Sequence, residues 1–260
     1  MSECGLIVLC PFSSECCIFS GASLINLFID VKKPKIIFCS YFFMVEVVLF
    51  AKTECRWRDF STEKMLDTIA SQSRTRSPLT TEPREKLFYD TIEWGHHSIQ
   101  EFVDYTFWIK DFSRVGLAQL TRHRIASYNV MSGRHVPYIK ATVPKGIHKA
   151  HGEMKVQEGP LPEDNIWVEW VVADDGEMQT TIYNDTGDAT ELPKHIKLED
   201  VRMFYPTAVN INMFFKINGR SLRNFLKLRM DRHAQWEIRE LASKIYLLVL
   251  EDCETLLCDI

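Results

Sequence analysis

A partial alternation begins at Met44, where Val45, Val47 and Leu49 fall on one side of MVEVVLFAKT and Glu46, Val48 and Phe50 on the other. That period of two predicts a first strand. Asp59 to Ser71 reads as a helix, with Ser61 as N-cap and Glu63 and Lys64 in its first turns. SQSRTRSPLTTEP reads as a loop, and Arg84 to Trp94 as a second helix that Gly95 is placed to end. Val103, Tyr105 and Phe107 alternate with Asp104, Thr106 and Trp108, which predicts a strand finishing before Asp111. Ser113 then caps a helix running through Leu117 and Leu120 into RHR. IWVEWVV and QTTIY flank Asp175-Gly176 as a β-hairpin. IKLEDVRMF predicts a short helix ending before Pro206, and TAVNINMFFKI a strand. Residues 218–250 read as one long helix capped by Ser221, with Leu222, Phe225, Leu226, Ile238, Leu241, Ile245 and Leu248 as its apolar stripe. This alternation implies α+β or α/β. We expect α+β, a mixed or antiparallel sheet packed with helices.

Residues 1–43 break the pattern. The apolar run from Leu6 to Val31 is interrupted by Pro11 and Glu15, and no basic residue precedes Lys32. It has neither the positive start of a signal peptide nor the clean apolar length that spans a bilayer. Five of the eight cysteines, Cys4, Cys10, Cys16, Cys17 and Cys39, lie here, leaving Cys55, Cys253 and Cys258 for the rest. No Cys/His spacing suggests zinc, and the distribution does not suit a disulfide framework. We therefore expect an N-terminal extension over 1–43, disordered or upstream of the functional start, then a functional domain over 44–260 in a reducing compartment, the cytoplasm.

Charge changes the picture next. The chain carries a net charge of -4, yet residues 112–152 hold seven Lys or Arg and no Asp or Glu. A general nucleic-acid binder usually has a basic domain, so a local patch on an acidic chain favours a small anion in a pocket. Within it, QLTRHRIASYNVMSGR gathers Arg122, His123, Arg124 and Arg134 among Gln119, Ser127, Tyr128, Asn129 and Ser132. Guanidinium forks grip phosphate oxygens in pairs, and hydroxyls and amides add neutral donors. The alternative is a solvated basic face. Residues 151–200 reverse the sign, with thirteen Asp or Glu against Lys155, Lys194 and Lys197. They show no catalytic arrangement, and we read them as an acidic insertion with a solvated surface. His96 and His97 are adjacent and point apart on any regular element, so no metal site is expected.

The spacing RHR-x2-S-x-N-x2-S-x-R, over Arg122 to Arg134, resembles the signature of the flavin-dependent thymidylate synthases. Asn218, Arg220, Asn224, Arg229 and His233, at N-x-R-x3-N-x4-R-x3-H, resemble that family's second signature. HHSIQEF resembles its first pocket segment, with Phe102 in place of a frequent His. Val130 stands where the family commonly has an acidic residue. The likeness runs from about Met44 to Leu250 and implies a thymidylate synthase-complementing-protein-like fold. It also implies reductive methylation of dUMP to dTMP, with 5,10-methylenetetrahydrofolate as carbon donor, NADPH as electron donor and FAD as hydride carrier. By the resemblance, Ser98, Glu101, Arg122, His123, Arg124, Asn218, Gly219, Arg220, Asn224 and His233 would hold FAD, with Ser73 as a looser match. Gln119, Arg122, Ser132, Gly133, Arg134, Arg202 and Arg229 would hold dUMP, and His96 would face the folate or nicotinamide. Arg229 is the candidate catalytic residue, its charge set against the uracil ring to raise electron density at the carbon to be alkylated. The resemblance also implies a homotetramer whose active sites are shared between subunits.

One absence points the same way. No cysteine lies between Cys55 and Cys253, whereas covalent activation of uracil needs a thiolate beside arginine. Ser132 has no visible base to activate it. A hydride route needs no protein nucleophile. The rivals are a flavin- and nucleotide-binding relative without turnover, and a non-catalytic RNA-binding module using the arginine patches and Tyr128. No membrane association is expected. A chain beginning at Met44 should retain soluble, flavin-bound protein and turnover, measured as flavin absorbance and product formation beside the full chain; loss of either assigns 1–43 a role.

Overall fold

We describe the chain from a computed structural model, whose described residues are 8–9, 16–17, 45–79, 82, 84–142, 150–157, 165–173, 176–183, 189, 197–202 and 205–260. The chain divides into two units, Met1–Phe43 and Met44–Ile260. In the first, β1 (Val8–Leu9) pairs antiparallel with β2 (Cys16–Cys17).

The second unit is built on a four-stranded antiparallel sheet in the order β3-β4-β9-β5, formed by β3 (Glu46–Lys52), β4 (Asp104–Ser113), β9 (Asn210–Asn218) and β5 (Ala126–Val130). One face is apolar because the alternating residues fall in register. Phe107 lies opposite Phe215, and Phe215 opposite Tyr128. Their rings stack across three strands, with centroids 6.2 Å and 5.4 Å apart. Val45, Tyr105, Ile109, Met213 and Ile217 complete that face, all at most 2% exposed. Such an aromatic ladder is worth more than its buried area alone, because offset rings also interact through their quadrupoles.

Helices α1 (Thr62–Ser71), α2 (Leu87–Glu93), α5 (Gly219–Arg229) and α6 (Trp236–Asp252) belong to the same unit and contribute Leu66, Phe88, Leu222, Phe225, Ile238 and Leu241 to its core. Two shorter helices, α3 (Arg114–Leu120) and α4 (Leu198–Val201), precede β5 and β9 respectively. The α+β class and antiparallel pairing agree with the expectation. Ser61 caps α1, and Ser113 caps α3, as the sequence indicates. Gly95, at φ +75°, closes the turn after α2.

Several details differ. The strand from Asp104 does not stop before Asp111: a bulge puts Asp111 at φ 56°, where its N–H donates to Asn212 Oδ1 at 3.1 Å, and pairing continues to Ser113. The long helix over 218–250 is two helices. Met230 caps α5, the Asp231 side chain accepts from His233 N, and Gln235 then caps α6 by accepting from Glu237 N and Ile238 N. Two polar side chains thus bond the local backbone and outweigh an apolar stripe that reads continuously through them. The cap of α5 is Asn218, not Ser221, whose N–H donates to Asn218 Oδ1 at 2.9 Å. RHR lies beyond α3 in a turn, and HHSIQEF supplies a 3-10 helix, His97–Phe102.

The middle segment folds as a separate three-stranded antiparallel sheet, β6 (Ala150–Gln157), β7 (Asn165–Val172) and β8 (Met178–Tyr183). The hairpin over β7 and β8 was legible; β6 was not. Gly176 sits at φ +84° in the hairpin turn, and Asp175 lies outside the described residues. That turn joins the rest of the unit through Ala141 N to Gly176 O and Met178 N to Ile139 O, both 2.8 Å.

Gly219 packs directly against backbone at the start of the second signature. A Cβ there would lie 2.6 Å from the Gln100 carbonyl oxygen and 2.9 Å from Val103. Gly219→Ala should lower unfolding free energy by about 1 to 3 kcal/mol through overpacking, read from the denaturant midpoint. An unchanged midpoint would show that the 3-10 helix can retreat freely.

Candidate active site

The second signature places its residues on α5, which touches a different pocket segment at each end. At its start, Arg220 donates to Glu101 Oε1 at 2.6 Å, and Gly219 N donates to Val103 O at 2.8 Å. At its end, Arg229 Nε donates to His123 Nε2 at 2.9 Å, and a terminal nitrogen of the same guanidinium reaches Gln119 O at 3.3 Å. Three stretches far apart in sequence, HHSIQEF, RHR and NGRSLRNFLKLR, therefore meet along one helix.

The RHR turn is fixed from below by the core. Tyr128 on β5 bonds through its hydroxyl to the carbonyls of Leu120 at 2.9 Å and His123 at 2.7 Å, while its ring stacks on Phe215. His123 packs edge-on against Phe225 at 5.1 Å. Burial, and secondarily the Arg229 charge, hold its imidazole below the ordinary value of 6.5. Neutral His123 accepts at Nε2 and so carries its proton on Nδ1. The start of α3 is fixed as well: buried Glu237 accepts from Ser113 N at 2.7 Å and Ser113 Oγ at 2.5 Å, and Ser113 Oγ accepts from Gly116 N. Burial pushes the Glu237 carboxyl up. Helix α3 is thus held at both ends by residues from the second signature and its continuation.

Arg122 and Arg124 are exposed on the turn, with no carboxylate partner among the described residues. Asn224 is exposed on α5, and Ser98 and His96 are exposed at the 3-10 helix. His96 packs edge-on to Trp94. His233 does not share a helical face with Arg229, because it lies past the end of α5, where its Nε2 meets Arg232 Nε at 3.2 Å. Beside the 3-10 helix lies a cavity of about 820 Å³, walled by Ile69, Pro78, Leu79, Ile99 and Phe102, with Ser73 and Arg76 at its polar edge. Ser73 thus shares this cavity with Ile99 and Phe102 of the HHSIQEF segment.

Ser132, Gly133 and Arg134 form a second group beyond β5. Gly133 is buried under Tyr138, whose hydroxyl would lie 2.4 Å from any Cβ there. Arg134 Nε donates to Glu199 Oε2 at 2.6 Å, and Arg202 Nε donates to Glu199 O at 3.3 Å. Glu199, on α4, was passed over within the acidic run; only the fold brings it to Arg134. Val130 alternates with exposed Asn129 and packs against the core beside Tyr128. An apolar residue suits that side of the strand.

The sequence profile described as Thymidylate synthase complementing protein matches residues 46–253. A flavin-dependent thymidylate synthase of Saccharolobus solfataricus is 32% identical over 194 residues, covering 70% of this chain and 66% of that protein. One from Pseudothermotoga lettingae is 32% identical over 187 residues, covering 72% and 78%. In fold, the chain resembles a Helicobacter pylori thymidylate synthase X solved with FAD and dUMP, at a TM-score of 0.52 and 21% identity, covering 82% of this chain and 97% of that one. The chain belongs to the thymidylate synthase complementing protein family. It spans about two thirds of the length of the Saccharolobus relative.

The depressed His123 has a signed consequence. Its folded value lies below 6.5, so the unfolded chain takes the proton first as pH falls, and the stability tied to neutral His123 is complete above that value and lost below it. The denaturant midpoint should decline from about pH 7 to pH 5, and His123→Gln should flatten the decline. An unaltered slope in the variant would locate the titration elsewhere.

Proposed function

We propose that the chain is a flavin-dependent thymidylate synthase, methylating dUMP to dTMP with 5,10-methylenetetrahydrofolate as carbon source and NADPH as reductant. The observation that carries this reading is the double contact of α5, with Arg220 on Glu101 and Arg229 on His123 and Gln119. The residues present suit FAD. Arg122 and Arg124 offer uncompensated cations for a pyrophosphate, and the 820 Å³ cavity has the size and apolar walls of a cofactor pocket. Ser98, Glu101, Arg122, His123, Arg124, Asn218, Gly219, Arg220, Asn224 and His233 would hold the cofactor, with Ser73 at the cavity edge. When bound, FAD supplies hydride transfer.

The remaining work falls to the chain. Arg229 presents a fixed positive charge; with two of its donors committed to His123 and Gln119, its plane is set before any ligand arrives, and placed against uracil it would stabilise charge developing on the ring. Gln119, Arg122, Ser132, Gly133, Arg134 and Arg202 would hold dUMP, and His96 would face the folate or nicotinamide. No thiol stands in either signature. Cys253 is buried, and burial pushes its thiol up to about 12, far from a thiolate. Strand β5, roughly 16 Å long at about 3.3 Å per residue, lies in the chain between the turn that meets Arg229 and the Arg134 group. This supports a homotetramer in which a neighbouring subunit completes each site. No helix among the described residues is long and apolar enough to cross a membrane; we place the enzyme in the cytoplasm.

Purified protein should be yellow and convert dUMP with methylenetetrahydrofolate and NADPH. Colourless, inactive protein would reject the reading, and yellow, inactive protein would make it a relative without turnover. Arg229→Lys keeps charge but loses the planar fork, so it should cut single-turnover methylation on the order of 100-fold while flavin content stays. Arg220→Ala should instead lose flavin. Wild-type methylation by Arg229→Lys, or loss of its flavin, would remove Arg229 from the uracil.

A further inference from the structure

Arg134 is an exposed arginine on a fixed backbone. Its neighbour Gly133 is locked beneath Tyr138, and its own N–H donates to Ser132 Oγ at 3.3 Å. Only the side chain is free to reorient. In the ligand-free chain that side chain is engaged: Nε donates to Glu199 Oε2 at 2.6 Å, and a terminal nitrogen contacts the same oxygen. Lys197 Nζ stands 3.8 Å from the other carboxylate oxygen, and Arg202 Nε donates to the Glu199 backbone carbonyl. Three cations therefore surround one carboxylate, which they hold below its usual range, Arg134 foremost. The pair is open to water, with side-chain exposures of 55% for Arg134 and 28% for Glu199. An exposed pair of this kind is weak enough to exchange partners.

We propose that Glu199 is an internal anion that occupies Arg134 in the substrate-free chain and is displaced by the phosphate of the nucleotide, so that it sets the affinity for dUMP. This rests on the reading of Arg134 as a phosphate ligand. A carboxylate brings one negative charge and two oxygens. A phosphate monoester brings nearly two charges at neutral pH and three acceptor oxygens. A monoester dianion can therefore take the guanidinium from Glu199 where a neutral nucleoside cannot. Arg202 keeps its hold on the Glu199 backbone whichever way the carboxylate turns, so the exchange needs no rearrangement of α4. The segment carrying Glu199 thus acts on ligand binding from outside both signatures.

A bond that merely orients Arg134 for the phosphate makes the opposite prediction, because removing it would weaken binding. The test is calorimetric titration of dUMP and deoxyuridine into the full chain, Glu199→Gln, Arg134→Ala and the double variant, with thermal melts as a control. Glu199→Gln should bind dUMP about two- to five-fold more tightly, the scale of an exposed ion pair, and should leave deoxyuridine unchanged. The gain should vanish in the Arg134→Ala background, since coupled sites are non-additive. Glu199→Ala carries the same expectation should the glutamine variant melt early. Weaker or unchanged dUMP binding in a stable Glu199 variant, or a gain that survives without Arg134, overturns the proposal while leaving the function intact. A wild-type chain that binds no dUMP overturns the functional reading, and this one with it.

Discussion

Strand β9 passes into helix α5 without a loop, and the placement of the second signature depends on that junction. Asn218 still pairs with Asp104 in the sheet, yet its side chain already caps the helix. The next residue, Gly219, starts the helix against the Gln100 carbonyl, where no other side chain has room. A helix so joined inherits its direction from the sheet rather than from flexible connections. Buried Arg223, on the same helix, adds bonds to Leu256 O and Asp259 near the end of the chain. Arg220 and Arg229 thus lie on one of the best-anchored elements, at the two places where the other pocket segments arrive.

The same economy governs charge. Most of the signature cations are exposed, so their positive field is available to a ligand, while His123, which orients Arg229, is half-buried and kept neutral. An imidazole held uncharged against Phe225 accepts a hydrogen bond from a guanidinium that would repel its cation. Tyr128 performs the equivalent service for the backbone of the turn, its hydroxyl lying within hydrogen-bond reach of the Leu120 and His123 carbonyls. Core packing and ligand geometry are linked through these two rings.

Much of this was legible beforehand. Period-two patterning located β3, β4 and β9, and serine caps located α1 and α3, because these signals are local and the surrounding fold reinforces them. The break between α5 and α6 was hidden, since the apolar stripe continues through it while Asp231 and Gln235 end one helix and start another by bonding the backbone. The error carried forward to His233, which the single-helix reading places within a helix and which lies past the end of α5. Both arginine-bearing signatures were readable as spacing. The partners Glu101, Gln119 and His123 were named only as ligand contacts, and their bonds to Arg220 and Arg229 were not foreseen, since they bridge more than a hundred residues of sequence. Glu199 offered no local signal at all, because one glutamate among thirteen acidic residues is distinguished only by what the fold sets beside it.

The acidic sheet is attached by one of its ends. Its β7–β8 turn lies where the Gly176 Cα approaches Ala141 so closely that a Cβ would sit 2.7 Å from the Ala141 carbonyl, whereas the pairing of Gln157 with Asn165 marks the far end of the β6–β7 ladder. Growth and attachment are therefore assigned to opposite ends of the same small sheet. Residues added or removed between β6 and β7 alter its reach without disturbing the glycine turn that seats it. Lineages could lengthen or shorten this arm, while the seat, Gly176 with the buried Val172 and Met178, stays under steric constraint.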